Sequence, residues 1–133
     1  MKKVISASII AALIIASGNV SAAAGKVEYD IYGSTSLKKV GGASEFLYRV
    51  PASATQRGTF SMYNEYSGFE TSVTYEDEKG QRCTFTAEYK LNSIGPVYSS
   101  SVQKSPSNAN CSINLYGKKY GKPYGFTMSM NMY

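Results

Sequence analysis

The sequence predicts an all-β protein: a small antiparallel sandwich or barrel of about eight short strands with one internal disulfide. Three observations carry that expectation. Apolar and polar residues alternate along most of the chain, and no window holds an apolar stripe of helical period. Clusters of Gly, Pro, Asn and Ser punctuate the alternation every ~8–12 residues. Cys83 and Cys111 both fall on the apolar phase of their runs, so a bridge between them should lie inside.

Residues 1–24 read as a cleaved secretory signal peptide, ahead of a single all-β domain over 25–133. Lys2 and Lys3 lead a short apolar run, Val4 to Ala16, and small residues through Ala24 offer cleavage before Ala23 or Gly25. As a helix that run would span only about 20 Å, short of the roughly 20 apolar residues a bilayer core needs. The expected location is therefore the periplasm or the cell exterior. In such an oxidising compartment two cysteines without CxxC spacing should pair with each other. Cys83 and Cys111 lie 28 residues apart, and closing that loop should stabilise the fold by about 3.6 kcal/mol.

Taken in order, Val27, Tyr29 and Ile31 alternate with polar neighbours and open the first strand. Residues 33–43 (GSTSLKKVGGA) read as the longest flexible loop. Phe46, Tyr48 and Val50 form a second alternating run that stops at Pro51, which lacks a donor. Phe60 and Met62 mark a third. Phe69, Thr71, Val73 and Tyr75 then alternate with Glu70, Ser72, Thr74 and Glu76. After Asp77-Glu78-Lys79-Gly80-Gln81 the phase resumes at Cys83, Phe85, Ala87, Tyr89 and Leu91. A short Gly-containing link between two such runs predicts a β-hairpin. Val97 to Gln103 is Ser-rich and fits an edge strand, and Ser105 to Asn110 is turn chemistry throughout. Cys111, Ile113 and Leu115 share a face, a second loop runs from Gly117 to Gly125, and YGFTMSMNMY closes the chain.

That ending poses a choice between a soft-metal site and the inner face of a strand. Thioether sulfur suits copper(I), so an exported copper carrier is one function to weigh. Alternate strand residues lie about 6.7 Å apart, which separates Met128 from Met132 by roughly 13 Å. Two metal–sulfur bonds of about 2.3 Å need sulfurs within roughly 4.6 Å. Phe126 continues the methionine phase, and Thr127, Ser129, Asn131 and Tyr133 hold the other. Core packing is the better reading, and no metal or other cofactor is expected. A membrane barrel is disfavoured too, because Tyr133 is out of phase with the apolar residues and the strands are short of the 9–11 residues needed.

The chain has no histidine, which excludes Ser-His-Asp, Cys-His and His-ligated metal chemistry. Paired carboxylates remain for glycosidase-type catalysis. Yet Glu70, Glu76 and Glu88 occupy the polar phase and Asp77-Glu78 sit in a turn, so they read as a solvated face, and no enzyme is expected.

Charge and aromatic content point to binding instead. From Tyr89 onward the chain carries five lysines and no acid. Within that stretch YGKKYGKPYG interleaves Tyr116, Tyr120 and Tyr124 with Lys118, Lys119 and Lys122. Its spacing fails as a phosphate-binding loop. Stacking rings beside lysines suit an anionic macromolecule, and export favours an acidic protein or an anionic glycan surface over nucleic acid. The leading expectation is a non-catalytic binder of the protein-inhibitor or immunity type, with an envelope glycan-binding or adhesion module as the alternative. The plainer reading of the loop is a hairpin whose lysines are merely solvated. Twelve tyrosines and no tryptophan add to the recognition signal, and Tyr32, Tyr63, Tyr116 and Tyr133, in polar phases, are expected to face outward.

Overall fold

Alternation with period two puts one face of every strand against a core, and two sheets sharing that core satisfy it. The computed structural model describes residues 25–62 and 68–133. The signal peptide expected over residues 1–24, and Tyr63, therefore lie outside the described residues. Nine strands run through these: β1 Lys26–Gly33, β2 Leu37–Gly42, β3 Arg49–Val50, β4 Gln56–Ser61, β5 Gly68–Glu76, β6 Arg82–Asn92, β7 Gly95–Ser105, β8 Cys111–Tyr116 and β9 Gly125–Met132. They form a β4-β1-β9-β8 sheet and a β3-β2-β5-β6-β7 sheet, packed as a sandwich.

The inner faces follow the sequence phase closely. Val27, Tyr29 and Ile31 of β1 meet Phe126, Met128, Met130 and Met132 of β9 on one side of the core. Val73 and Tyr75 of β5, with Phe85, Ala87 and Tyr89 of β6, line the other. Met128 and Met130 are wholly buried and Met132 nearly so, as a core face requires. Unbranched and polarizable, the methionines fill the space left between rigid aromatic rings. Each fully buried large side chain contributes about 1.5–3 kcal/mol.

Cys83 of β6 and Cys111 of β8 are joined, with Cα atoms 6.6 Å apart. The two strands belong to different sheets, so the bridge ties the sandwich together from within. A formed disulfide fits an oxidising environment.

The β5–β6 hairpin stands where its pattern placed it, from Gly68↔Lys90 to Glu76↔Arg82. Its link departs from expectation in one respect: Asp77 is buried rather than solvated. Asp77 Oδ1 accepts the amides of Lys79 and Gln81 at 3.0 and 2.9 Å, and Oδ2 accepts the Gln81 side-chain amide at 2.6 Å. A carboxylate holding three donors can leave solvent without an unpaired charge.

Three other stretches differ from the sequence reading. Residues 33–43 are not one loop, because β2 occupies Leu37–Gly42 and pairs with β5. Only Leu37 of that strand is buried, and a bulge between Lys39 and Gly41 breaks the alternation that would have revealed it. Gly42 is there for fit: at φ +100° a Cβ would stand 2.5 Å from the Ser72 carbonyl oxygen.

The Phe46–Val50 run contracts to the two residues of β3, with Phe46 buried and Tyr48 exposed. Here the backbone turns because core tyrosines satisfy it. The Tyr29 hydroxyl accepts the Leu47 amide at 3.1 Å, and Tyr75 donates to the Leu47 carbonyl at 2.6 Å. Lys39 Nζ donates to the carbonyls of Ala43 and Phe46 at 3.0 and 3.1 Å.

Among the described residues the pairings are antiparallel except one: β1 and β9 run parallel, from Lys26↔Gly125 to Gly33↔Met132. Alternation sets which face a residue occupies, not which neighbour its strand chooses. β7 is an edge strand as expected, though it extends over Gly95–Ser105.

Candidate functional site

The Tyr-Lys loop lies between β8 and β9, at the end of the sandwich opposite the disulfide. Counting from the bridged cysteines, β6 continues to Asn92 while β8 stops at Tyr116. The β6–β7 hairpin therefore outruns its neighbour by about four residues, roughly 13 Å of strand. Gly117, at φ +63°, turns the chain out of β8, and the loop folds over the inner face of the overhang.

Aromatic rings seat it there. Tyr124 packs on Tyr89 with ring centroids 5.6 Å apart, and Tyr120 stands edge-on to Tyr98 at 5.7 Å. Tyr98 also meets Tyr89 at 5.5 Å and Phe126 at 5.7 Å, so three rings converge around it. Polar bonds lock the backbone. The Tyr98 hydroxyl donates to the Lys119 carbonyl, and the Lys119 amide donates to the Gly125 carbonyl at 3.0 Å. Burial is the main cause that pushes the Tyr98 hydroxyl above its ordinary pKa of 10.0, and its bonds to the loop backbone only partly oppose it. It stays a donor at neutral pH.

The six residues singled out by sequence separate into three groups. Lys118, Lys119, Tyr120 and Lys122 are exposed, with Tyr120 retaining 65% of its surface. Tyr124 turns inward as half-buried packing. Tyr116 leaves the loop altogether: it points across the outer face of the four-stranded sheet, where its hydroxyl donates to Asp30 Oδ2 at 2.7 Å. The structure thus brings together three cations and one open ring.

None of the three lysines forms an ion pair among the described residues, where the salt bridges are Arg82–Glu76 at 3.6 Å and Lys90–Glu88 at 3.8 Å. Of the tyrosines expected outside, Tyr116 and Tyr133 are exposed, and Tyr32 is half-buried against Tyr133 at 5.7 Å. Tyr98, the residue that organises the site, lies within the Ser-rich stretch of β7, which its pattern marks only as an edge strand. Its aromatic character among serines was the available signal.

The sequence matches no family model and no curated protein. Among solved structures, the chain is similar to the lipid binding protein Nakanori at 9% identity and a TM-score of 0.47, over 80% of this chain and 69% of that one. No helix among the described residues is long and apolar enough to cross a membrane.

Proposed function

We propose that this is an exported, non-catalytic protein that binds an anionic face of a macromolecular partner, as a protein inhibitor or immunity-type binder does. One observation carries the reading: Lys118, Lys119 and Lys122 have no ion-pair partner among the described residues and stand on a loop that ring packing and two backbone bonds hold in place. A pre-ordered loop loses little conformational entropy on binding. Unpaired lysines attract carboxylates over several ångströms and speed encounter, and Tyr120 adds a contact of large area with few rotatable bonds. Cations near a flexible loop tip would offer the charge without the order.

The test is capture of partners from envelope extract by the protein and by its Lys118→Glu/Lys119→Glu/Lys122→Glu variant. A defined acidic protein should be held by the parent and lost by the variant, with the melting temperature nearly unchanged because exposed charges add little to folding. Capture should also weaken as salt rises, since such charges are screened within about 8 Å at physiological ionic strength. A partner held equally by both proteins at high salt refutes the reading.

A further inference from the structure

The outer face of the four-stranded sheet is polar by alternation, but it is not flat. A trough of about 410 Å3 crosses it, lined by Glu28, Asp30, Arg57, Thr59, Tyr116 and Thr127. Strand register sets these side chains in two rows. Arg57, Asp30 and Ser129 lie abreast in one; Thr59, Glu28, Thr127 and Tyr116 lie abreast in the other.

Asp30 is fixed from two sides. Tyr116 donates to its Oδ2 and Ser129 Oγ to its Oδ1, each at 2.7 Å. A carboxylate oxygen that accepts one such bond keeps capacity for another. Arg57 sits directly opposite Asp30 on the edge strand β4, yet it closes no ion pair with Asp30 or Glu28 among the described residues. A guanidinium and two carboxylates are thus held side by side with donors and acceptors unspent, beside a tyrosine that keeps 49% of its surface.

We infer that this trough binds a neutral saccharide chain. A sugar ring presents C–H bonds on one face, suited to the Tyr116 ring, and hydroxyls that both donate and accept. Those hydroxyls can donate to Asp30 and Glu28 while accepting from Arg57 and the threonines, which uses every group in the trough. Other ligand classes use only some of them. A polyanion meets Glu28 and Asp30, a cation meets Arg57, and an apolar chain would bury all three without partners. The volume falls within the ~300–1,000 Å3 of small-molecule sites. A second depression of about 350 Å3 shares Glu28 and Thr127 with the first and runs on between Lys26 and Lys119. That continuity favours a chain over a single sugar. The trough itself contains none of the loop's lysines, and only its continuation touches one, Lys119, so either assignment can fail without the other when Lys118 and Lys122 alone are changed.

Isotope-labelled protein titrated with soluble malto-, cello- and chito-oligosaccharides tests it by amide chemical-shift changes. At least one series should shift residues of β1, β4, β8 and β9 around the trough. Tyr116→Ala should weaken that binding by about tenfold or more, and Tyr116→Phe, which keeps the ring, by less. Lys118→Glu/Lys122→Glu should leave it unchanged. Should Tyr116→Ala lower the melting temperature, Glu28→Gln and Arg57→Ala at exposed positions report on the same site and should each weaken binding. Failure of all three series to shift the trough overturns the proposal. So do shifts that follow the lysines, shifts induced by spermidine in place of sugars, or affinity indifferent to Tyr116, Glu28 and Arg57.

Discussion

Tyr98 holds Tyr120 edge-on, ring centroids 5.7 Å apart at 89° between planes, and its hydroxyl grips the carbonyl of Lys119, the residue before. One side chain from the five-stranded sheet thereby fixes both the ring and the backbone of the loop opposite. Tyr98→Phe should cost about 1 kcal/mol, the net worth of a hydrogen bond. Tyr98→Ala should cost more, roughly 2–4 kcal/mol, because it also empties a half-buried aromatic cluster. Urea denaturation measures both. Amide exchange at Lys119 should quicken far more in the alanine variant than at Met130, deep in the core.

The disulfide makes its own prediction. Intact mass before and after reduction should show no free thiol in the native protein, and Cys83→Ser should lower stability by about 2–5 kcal/mol. Two thiols alkylated without denaturant would contradict the bridge. The same spectrum reads the mature N-terminus, expected at Ala23 or Gly25.

Met130→Leu should be tolerated at under about 1.5 kcal/mol, since volume is nearly conserved. Copper(I) competition against a chelator should not distinguish this variant from the parent. A tight site lost with the substitution would place metal chemistry where burial puts packing.

Alkaline pH should destabilise the fold. Burial raises the hydroxyl pKa of Tyr75, Tyr29 and Tyr98, and the bond to Asp30 raises that of Tyr116, all above the ordinary value of 10.0. In the unfolded chain these groups lose protons near that ordinary value, while the folded chain retains them. The unfolded state then binds fewer protons, so stability falls as pH rises. Their contribution is fully present below 10.0 and drains away as pH climbs through the raised values. Urea midpoints taken between about pH 9 and pH 12 should decline, with tyrosinate absorbance appearing later in the folded protein than in the denatured one. A flat midpoint across that range refutes this.

Strand alternation made the β5–β6 hairpin, the inward cysteines and the methionine face legible before any coordinates, because each depends only on which side of a pleat a residue takes. What stayed hidden depends on neighbours. β2 carries a single buried residue, Leu37, and a bulge, so its polar stretch imitates a loop. The turn at Leu47 exists because two tyrosine hydroxyls from other strands reach its backbone. At the loop, composition located the lysines, but not that Tyr124 would turn inward or Tyr116 depart toward Asp30. Glu28 and Asp30 shared a face by spacing alone, whereas Arg57 joined them only through the pairing of β4 with β1.

The parallel pairing of β1 with β9 also has a mechanical side. The chain enters β1 at Lys26 and leaves β9 at Met132, at opposite ends of two adjacent strands. Tension applied through these two points would slide the strands lengthwise, loading every rung from Lys26↔Gly125 to Gly33↔Met132 together. In an antiparallel pair joined by a hairpin, the same pull opens one rung at a time. Held by its ends, this protein would resist as a shear joint does, yielding only when the whole ladder gives way.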